Sequence, residues 1–270
     1  AHDISPRITV YAWDSGFGTK YSDPSPEPTN DGYAVAFSPD GADIAVAHPN
    51  SPNITAYPWS SGFGSKYANP STLPAGTGRS VAFSPDGSDI AVAHTGVPYI
   101  TVYEWSSGFG SKYANPSTYP GGTSYAVTFS PDGADIAVGY SSSPRFSVYP
   151  WSSGFGSKYS DPSTEPTGSG RSVAFSPDGS DIAVAHNSSP YISVYPWSSG
   201  FGTKYSDPST LPTSTGNGVA FSPDGYDIAV AHWDSPYISV YPWSSGFGTK
   251  YSDPSTLPTS TGNGVAFSPD

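Results

Sequence analysis

The sequence repeats itself every 46 residues. The segment His-x-x-x-Pro begins at His2, His48, His94, His186 and His232, and Tyr140 takes the histidine position in the fourth copy. Six copies fill the 270 residues; they begin at Ala1, Ala47, Ala93, Gly139, Ala185 and Ala231. A fixed period in the forties indicates one supersecondary unit that stacks on its neighbours.

Each copy predicts four short β-strands, a to d. In the second copy, Ser80–Phe83 is strand a, and the turn Ser84–Gly87 leads to strand b at Asp89–His94. Strand c is Tyr99–Tyr103, and strand d surrounds Lys112. Proline and glycine interrupt every longer stretch, so helices are excluded. Four antiparallel strands per copy predict an all-β, six-bladed β-propeller that forms a single domain over residues 1–270.

Composition limits the function classes. The formal net charge is −12 with only 10 Lys and Arg residues, which argues against nucleic acid and anionic membranes as partners. There is no cysteine, no long apolar run and no nucleotide-binding glycine loop. We therefore expect a soluble, monomeric chain without a cofactor, a bound metal or enzymatic activity, with its localisation open between the virion and the extracellular space.

The segment Val-Ala-Phe-Ser-Pro-Asp-Gly, as at Val81–Gly87, resembles the first strand and turn of WD40 repeats, and it recurs along the whole chain. At the end of strand c, the Trp-Asp pair of that family survives only as Trp13-Asp14; Tyr-Pro-Trp replaces it in the other copies, with Tyr-Glu-Trp in the third. The resemblance implies propeller blades. The near-identity of the copies is similar to recently amplified propellers of phage and bacterial genomes, which implies a phage or bacterial-surface context.

Strands a, c and d occur six times, but strand b occurs only five times, at residues 43–48, 89–94, 135–140, 181–186 and 227–232. A ring closed by the C-terminal strand a and the N-terminal strand c would lack one strand b in its closing blade. Because unpaired ladder groups are costly, we expect six residues upstream of Ala1 or a strand donated by another chain.

The differences between copies fall in the b–c and d–a loops, which lie on one face of a blade. The positions that carry bulky or polar side chains there are the predicted binding residues. They are Tyr33, Arg79, Tyr125, Arg171, Asn217 and Asn263, expected at the mouth of a central channel, and Arg7, Asn53, Tyr99, Arg145, Tyr191, Tyr237 and Trp233 in or after the b–c loops. Such residue types are favoured at recognition surfaces, whereas drift in exposed loops is the alternative explanation.

Three repeated sets of residues have side chains of the types that bind metal ions or sugars. The five histidines lie about 10 Å or more apart on neighbouring blades, too far to share a metal ion. The carboxylate pairs Asp40/Asp43, Asp86/Asp89, Asp132/Asp135, Asp178/Asp181 and Asp224/Asp227, with Asp270, suit either turns or calcium. Trp59, Phe63 and Lys66, with their equivalents, suit either sugar stacking or packing between blades.

The expected function is therefore a non-catalytic interaction or structural module whose partner is a protein or glycan surface. The alternative is a multivalent lectin with one aromatic site per blade, and a hydrolase with its site at the channel mouth is a third option.

Overall fold

The computed structural model describes residues 1–268 and divides them into two compact units, Ala1–Asn115 and the part that begins at Pro116. Asp270, one of the predicted turn carboxylates, lies outside the described residues. The first unit contains three antiparallel sheets. Sheet 1 has strands β1 (Tyr11–Trp13) and β2 (Phe17–Lys20); sheet 2 has β3 (Ala34–Phe37), β4 (Asp43–Ala47) and β5 (Ile54–Pro58); sheet 3 has β6 (Gly78–Phe83), β7 (Asp89–His94), β8 (Ile100–Trp105) and β9 (Phe109–Lys112).

The second unit contains three further sheets of the same kind. Sheet 4 has β10 (Ser124–Phe129), β11 (Asp135–Tyr140) and β12 (Phe146–Pro150); sheet 5 has β13 (Gly170–Phe175), β14 (Asp181–His186) and β15 (Ile192–Pro196); sheet 6 has β16 (Gly216–Phe221), β17 (Asp227–His232) and β18 (Ile238–Pro242). Six antiparallel sheets in chain order confirm the predicted fold class, an all-β, six-bladed propeller. The single domain over residues 1–270 stays a prediction.

Each complete sheet is a meander in which strand b pairs with strand a on one side and strand c on the other. In sheet 3, Val92 of β7 lies opposite Val81 of β6 and Thr101 of β8. A register shift between Gly78 and Ser80 marks a bulge at the start of β6. The predicted assignment of strands a, b and c is thus confirmed in five sheets.

Strand d and the last strand a differ from the prediction. Strand d is an assigned strand only in sheets 1 and 3; in the other sheets it is reduced to a bridge between a tryptophan and a phenylalanine, as between Trp59 and Phe63. Where strand d forms, it begins at that phenylalanine and ends at the lysine, as in β9, rather than being centred on the lysine. In the last copy, residues 263–268 form no strand, so strand a occurs five times within the described chain rather than six.

Neighbouring sheets pack through interleaved small and branched side chains. In the first unit, Ala45 and Ala47 of β4 pack against Ile90 and Val92 of β7. In the second unit, Ala183 and Ala185 of β14 pack against Ile228 and Val230 of β17. Strand b is therefore buried on both faces, as its apolar sequence predicts. Within the described chain there is no helix that is long and apolar enough to cross a membrane.

Candidate functional site

The turn between strands a and b is built by its own side chains. Ser84 Oγ donates to Asp86 Oδ1 at 2.6 Å, and the Ser88 N–H donates to the same oxygen at 3.0 Å. Gly87 adopts φ 73°, a conformation that glycine tolerates best. These hydrogen bonds, led by that from Ser84, lower the pKa of Asp86 below its usual range, so its carboxylate is anionic at neutral pH. The turn interpretation of this carboxylate is therefore correct.

A second aspartate joins neighbouring sheets. Trp105 Nε1 of sheet 3 donates to Asp43 Oδ2 of sheet 2 at 2.9 Å, and the Tyr67 hydroxyl donates to Asp43 Oδ1 at 2.6 Å. Asp43 is only 5% exposed. Burial, followed by the hydrogen bond to Asp43, raises the pKa of Tyr67 to about 12, so the phenol stays a donor.

The same bonds recur in the second unit. Asp181 accepts from Tyr205 at 2.9 Å and from Trp243 at 2.9 Å, and Trp197 donates to Asp135 at 3.0 Å. We did not predict this aspartate–indole pair from the sequence, because its members lie 62 residues apart. The available signal was the constant recurrence of both residues at that separation.

These aspartates line cavities between neighbouring sheets. The cavity between sheets 2 and 3 measures about 450 Å³, that between sheets 4 and 5 about 320 Å³, and that between sheets 5 and 6 about 520 Å³. The first is lined by Ser38, Pro39, Asp40, Asp43, Asp86, Gly87, Trp105, Ser106 and Ser107. Equivalent residues line the other two, including Asp132 and Asp135 in one and Asp178, Asp181, Trp243 and Ser244 in the other. Each cavity thus combines carboxylates and serine hydroxyls with one indole edge.

Outside the first copy, the aromatic residues of the predicted glycan site pack against other rings. Trp105 is 6% exposed and makes edge-on contacts with Tyr67, Phe83 and Phe109, at centroid distances of 5.4, 5.3 and 5.0 Å. Trp59 and Phe63 meet edge-on in the same way at 5.0 Å. The packing explanation therefore holds for Trp105, and Trp59 and Phe63 are half-buried by similar contacts. The equivalent rings of the first copy, Trp13 and Phe17, are 69% and 82% exposed.

The predicted lysine is also engaged. Lys66 Nζ donates to the Tyr67 carbonyl at 3.0 Å and to the Asn69 side chain. In the second unit, Lys204 instead pairs with Asp207, three residues further on. The lysine therefore closes the loop that follows strand d.

The side chains that the sequence assigns to a channel mouth meet in pairs. The Arg79 guanidinium lies over the Tyr33 ring at 4.8 Å in the first unit, and Arg171 lies over Tyr125 at the same distance in the second. Asn217 Nδ2 donates to the Gly262 carbonyl at 3.1 Å. Asn263 is exposed. These contacts join neighbouring copies of the repeat, and the channel mouth itself stays a prediction.

The residue after the b–c proline is held in the left-handed region. Arg7, Tyr99, Arg145, Tyr191 and Tyr237 have φ between 69° and 79° and are half-buried. This conformation is unfavourable for residues other than glycine, so the loop around it must be well determined.

Contacts in these loops differ between copies. Arg7 lies 3.4 Å from Asp31, and Arg145 donates to the Ser141 carbonyl at 2.8 Å. Trp233, in the b–c loop of the last complete sheet, is 59% exposed. Asn53 departs from the prediction of a surface residue: it is 7% exposed, and its Nδ2 donates to the Pro74 carbonyl at 2.9 Å.

The histidines at the end of strand b are structural. His94 Nε2 is hydrogen-bonded to Thr101 Oγ1 at 2.9 Å, and burial lowers the pKa of His94 to about 4. In the fourth copy, Tyr140 bonds Ser147 at 2.7 Å instead. A Cβ at Gly121 would lie 2.9 Å from the Tyr140 ring, so the larger ring needs this glycine. No group of three or more His, Cys, Asp or Glu residues suited to a metal ion occurs among residues 1–268.

Comparison with known proteins identifies the fold alone. No protein-family model matches the chain, and no curated protein matches it significantly. Among solved structures, a Bacteroides uniformis protein assigned as a 6-phosphogluconolactonase is similar with a TM-score of 0.61 and 15% identity, over 82% of this chain and 70% of that one. Hydrazine synthase of Kuenenia stuttgartiensis is similar with the same TM-score and identity, over 87% of this chain and 68% of that one. Both likenesses agree with a propeller-like all-β fold.

Proposed function

We propose that this chain is a non-catalytic, multivalent binding module of the WD40-like propeller type, related to amplified phage and bacterial arrays, that attaches to a protein or glycan surface of a virion or cell. The observation that carries the proposal is the recurrence of a similar cavity, lined each time by carboxylates, serine hydroxyls and one indole, at three sheet-to-sheet contacts. Several equivalent weak sites on a rigid scaffold gain affinity through avidity. Catalytic sites are normally single and asymmetric, so this repetition favours binding.

The size and lining of the cavities suit a small polar group of a larger partner. Volumes between 320 and 520 Å³ fall at the lower end of ordinary ligand pockets. In the cavity of sheets 2 and 3, the carboxylates of Asp40 and Asp86 are acceptors, and Ser106 and Ser107 carry hydroxyls that both donate and accept. No Lys or Arg lines the three cavities.

A lectin is the second candidate, because this lining favours sugars as the group that is bound. Vicinal hydroxyls of a sugar donate to carboxylates and accept from serine hydroxyls, which is the set each cavity offers. We therefore propose a sugar site between sheets rather than on the rings of Trp59, Phe63 and their equivalents, most of which pack against other rings.

The variable loops, together with the residues at the start of strand a, are a second binding surface for a protein partner. The exposed Trp233 and the stacked Tyr33–Arg79 and Tyr125–Arg171 pairs are residue types enriched at interface centres. The two surfaces predict different sensitivities to mutation, so one set of variants distinguishes them.

Hydrolysis of a phosphogluconolactone is the activity that the name of one similar structure suggests. The repeated acid and base groups of this chain are used to hold the sheets together: Asp43 by Trp105 and Tyr67, and His94 by Thr101. This use supports a non-catalytic role. We expect no turnover of 6-phosphogluconolactone above the spontaneous rate, and turnover that is abolished by a single substitution would contradict the proposal.

The test measures binding of the 270-residue chain to arrayed glycans and to intact bacterial cells. In a triple variant, Ser106→Gln and Ser244→Gln place longer side chains in the linings of two cavities, and Ser198→Gln does so at the equivalent position beside the third. The matched control, Ser111→Gln, Thr203→Gln and Thr249→Gln, alters exposed positions a few residues further along the same segments. We expect the first variant to lose at least about tenfold in binding while the control retains it.

Other outcomes of the same test are also informative. Loss of binding only on Arg79→Ala and Arg171→Ala would move the site to the start of strand a and exclude the cavities. Equal binding by all variants, or binding to neither glycans nor cells, would contradict the proposed function.

A further inference from the structure

The cavity between sheets 5 and 6 differs from the other two at one position of the turn between strands a and b. In four copies the residue two places after the turn aspartate is small: Ala42, Ser88, Ala134 and Ser180. In the fifth copy it is Tyr226, which is 70% exposed and lines the cavity. The equivalent Ser88 does not line the cavity between sheets 2 and 3. At about 520 Å³, the cavity with the tyrosine is also the largest of the three.

The tyrosine also changes the hydrogen bonding of the neighbouring carboxylate. In sheet 3, Ser88 Oγ donates to the Asp86 carboxylate and lies 2.9 Å from each of its oxygens. In sheet 6, Asp224 Oδ1 accepts from Ser222 Oγ at 2.6 Å and from the Tyr226 N–H at 3.1 Å. Without a serine hydroxyl at position 226, Asp224 Oδ2 has no donor within residues 1–268 and can accept from a ligand.

The opposite part of the lining combines hydroxyls with a side chain that the fold holds in place. Ser244 and Ser245 are exposed, and their hydroxyls both donate and accept. Trp243 is 4% exposed, and its Nε1 donates to Asp181 Oδ2 at 2.9 Å. The cavity therefore offers an exposed aromatic ring, a free carboxylate oxygen and two hydroxyls around a fixed indole.

The charge of this lining disfavours acidic ligands. Hydrogen bonds, led by that from Ser222, lower the pKa of Asp224, and hydrogen bonds led by that from Ser176 lower the pKa of Asp178. Both carboxylates are therefore anionic at neutral pH, and no Lys or Arg lines the cavity. A ligand with a carboxylate or phosphate group would be repelled, whereas an uncharged ligand with several hydroxyls finds both acceptors and donors.

We propose that the cavity between sheets 5 and 6 is the principal sugar site of this chain, and that Tyr226 is its stacking platform for an uncharged hexopyranose. The C–H face of the sugar lies on the exposed ring of Tyr226. One hydroxyl donates to Asp224 Oδ2, and a neighbouring hydroxyl accepts from Ser244 or Ser245. This inference rests on the proposed binding function, and it adds that the cavities are unequal: those without the tyrosine bind more weakly.

The experiment measures the binding of methyl glucoside, methyl galactoside and methyl mannoside to the 270-residue chain by saturation-transfer difference NMR, with methyl glucuronide as the acidic probe. Tyr226→Ser introduces the residue that two other copies carry at this position, so the turn should keep its structure. The matched control is Tyr119→Ser, because Tyr119 is 44% exposed but lies outside the cavity lining. Ser88→Tyr transfers the ring to the cavity between sheets 2 and 3.

We expect the unmodified chain to bind at least one uncharged hexoside more tightly than methyl glucuronide. Tyr226→Ser should weaken this binding by about tenfold, whereas Tyr226→Phe and Tyr119→Ser should retain it. Adding Ser88→Tyr to the Tyr226→Ser variant should restore binding, because it recreates both the ring and the free carboxylate oxygen beside another cavity.

Two results overturn this inference and leave the proposed function standing. One is equal binding of the hexosides by the Tyr226→Ser variant and the unmodified chain, and the other is binding of methyl glucuronide alone. If the unmodified chain binds none of these sugars, the inference is overturned as well. The proposed function is then contradicted only if the chain also fails to bind arrayed glycans and cells.

Discussion

Sheets 1 and 3 carry nearly the same hairpin in two environments. Tyr11-Ala-Trp13 runs into Phe17 in sheet 1, and Tyr103-Glu-Trp105 runs into Phe109 in sheet 3. The Trp–Phe contact is edge-on in both, with centroid distances of 5.3 and 5.0 Å. Yet Trp13 is 69% exposed and Trp105 only 6%. The hairpin geometry is therefore local, whereas burial depends on what the neighbouring sheet supplies.

The environment of Trp105 explains this difference. Its indole lies against Phe83 of its own sheet and Tyr67 of the preceding copy, and its N–H reaches Asp43 of sheet 2. The repeat thus encodes two things at once: a hairpin that forms in any copy, and a set of groups that only a complete neighbouring sheet can satisfy.

The largest expected effect separates the two tryptophans. Trp105→Ala should lower the free energy of unfolding by about 3–5 kcal/mol, because it removes a buried aromatic side chain and leaves a cavity. Trp13→Ala should lower it by about 1 kcal/mol or less, because little buried area is lost at an exposed site. Urea unfolding of the two variants and the unmodified chain measures both values. Similar losses for the two variants would show that Trp13 is buried in solution.

The pH dependence of stability is a second property that sheet 3 gains from burial, because His94 is fully buried there. Burial lowers the pKa of His94 from its ordinary value of 6.5 to about 4, so between these values the unfolded chain binds the proton that the folded chain excludes. The contribution of His94 to the free energy of unfolding is therefore complete above about pH 6.5 and is lost as the pH falls toward 4. The shift corresponds to about 3 kcal/mol. His48 and His186, with pKa values of about 4 for the same reason, should add to this loss.

The fourth copy supplies the control for this prediction. Tyr140 occupies the histidine position there, with Gly121 of the third copy beneath its ring. One repeat earlier, the equivalent residues are His94 and Ala75. The double variant Ala75→Gly, His94→Tyr should therefore fold and lose the contribution of one histidine to the pH dependence. Unfolding measured at pH 7 and pH 4.5 tests this. An unchanged difference between the two pH values would mean that His94 is not excluded from protonation.

The sequence allows the prediction of what is local and repeated. The turn at Ser84–Gly87, the strand b at Asp89–His94 and the alternation of alanine with branched residues all depend on neighbours within one copy. The sequence could not reveal that strand d is reduced to the Trp59–Phe63 bridge, because the length of strand d depends on how many of its residues pair with strand c.

The candidate sites were less predictable than the strands. The Arg79–Tyr33 stack joins residues one repeat apart, and Asn53, which looks like a variable surface residue, is buried against the Pro74 carbonyl. The cavities depend on side chains from two sheets, so no single copy indicates them. Both features arise from packing between copies rather than from the sequence of any one copy.

The smallest expected effect concerns the acceptor that sheet 2 offers to sheet 3. Asp43→Asn keeps the side-chain volume but replaces one carboxylate oxygen by an NH₂ group, which only donates. The amide can therefore not accept from Trp105 Nε1 and Tyr67 OH with separate oxygens, as the carboxylate does. One buried donor is then left without a partner, which should cost about 1–3 kcal/mol. Tyr67→Phe removes one donor and should cost about 1 kcal/mol.

Combining Asp43→Asn with Tyr67→Phe should cost less than the sum of the two single changes, because the amide can then serve Trp105 alone. Urea unfolding of the four proteins gives this coupling, and Asp181 with Tyr205 and Trp243 provides an independent repetition of the test. Strictly additive costs would contradict a shared acceptor. In that case the low exposure of Trp105 would rest on its ring contacts alone, and the difference between sheets 1 and 3 would be one of apolar burial without a polar component.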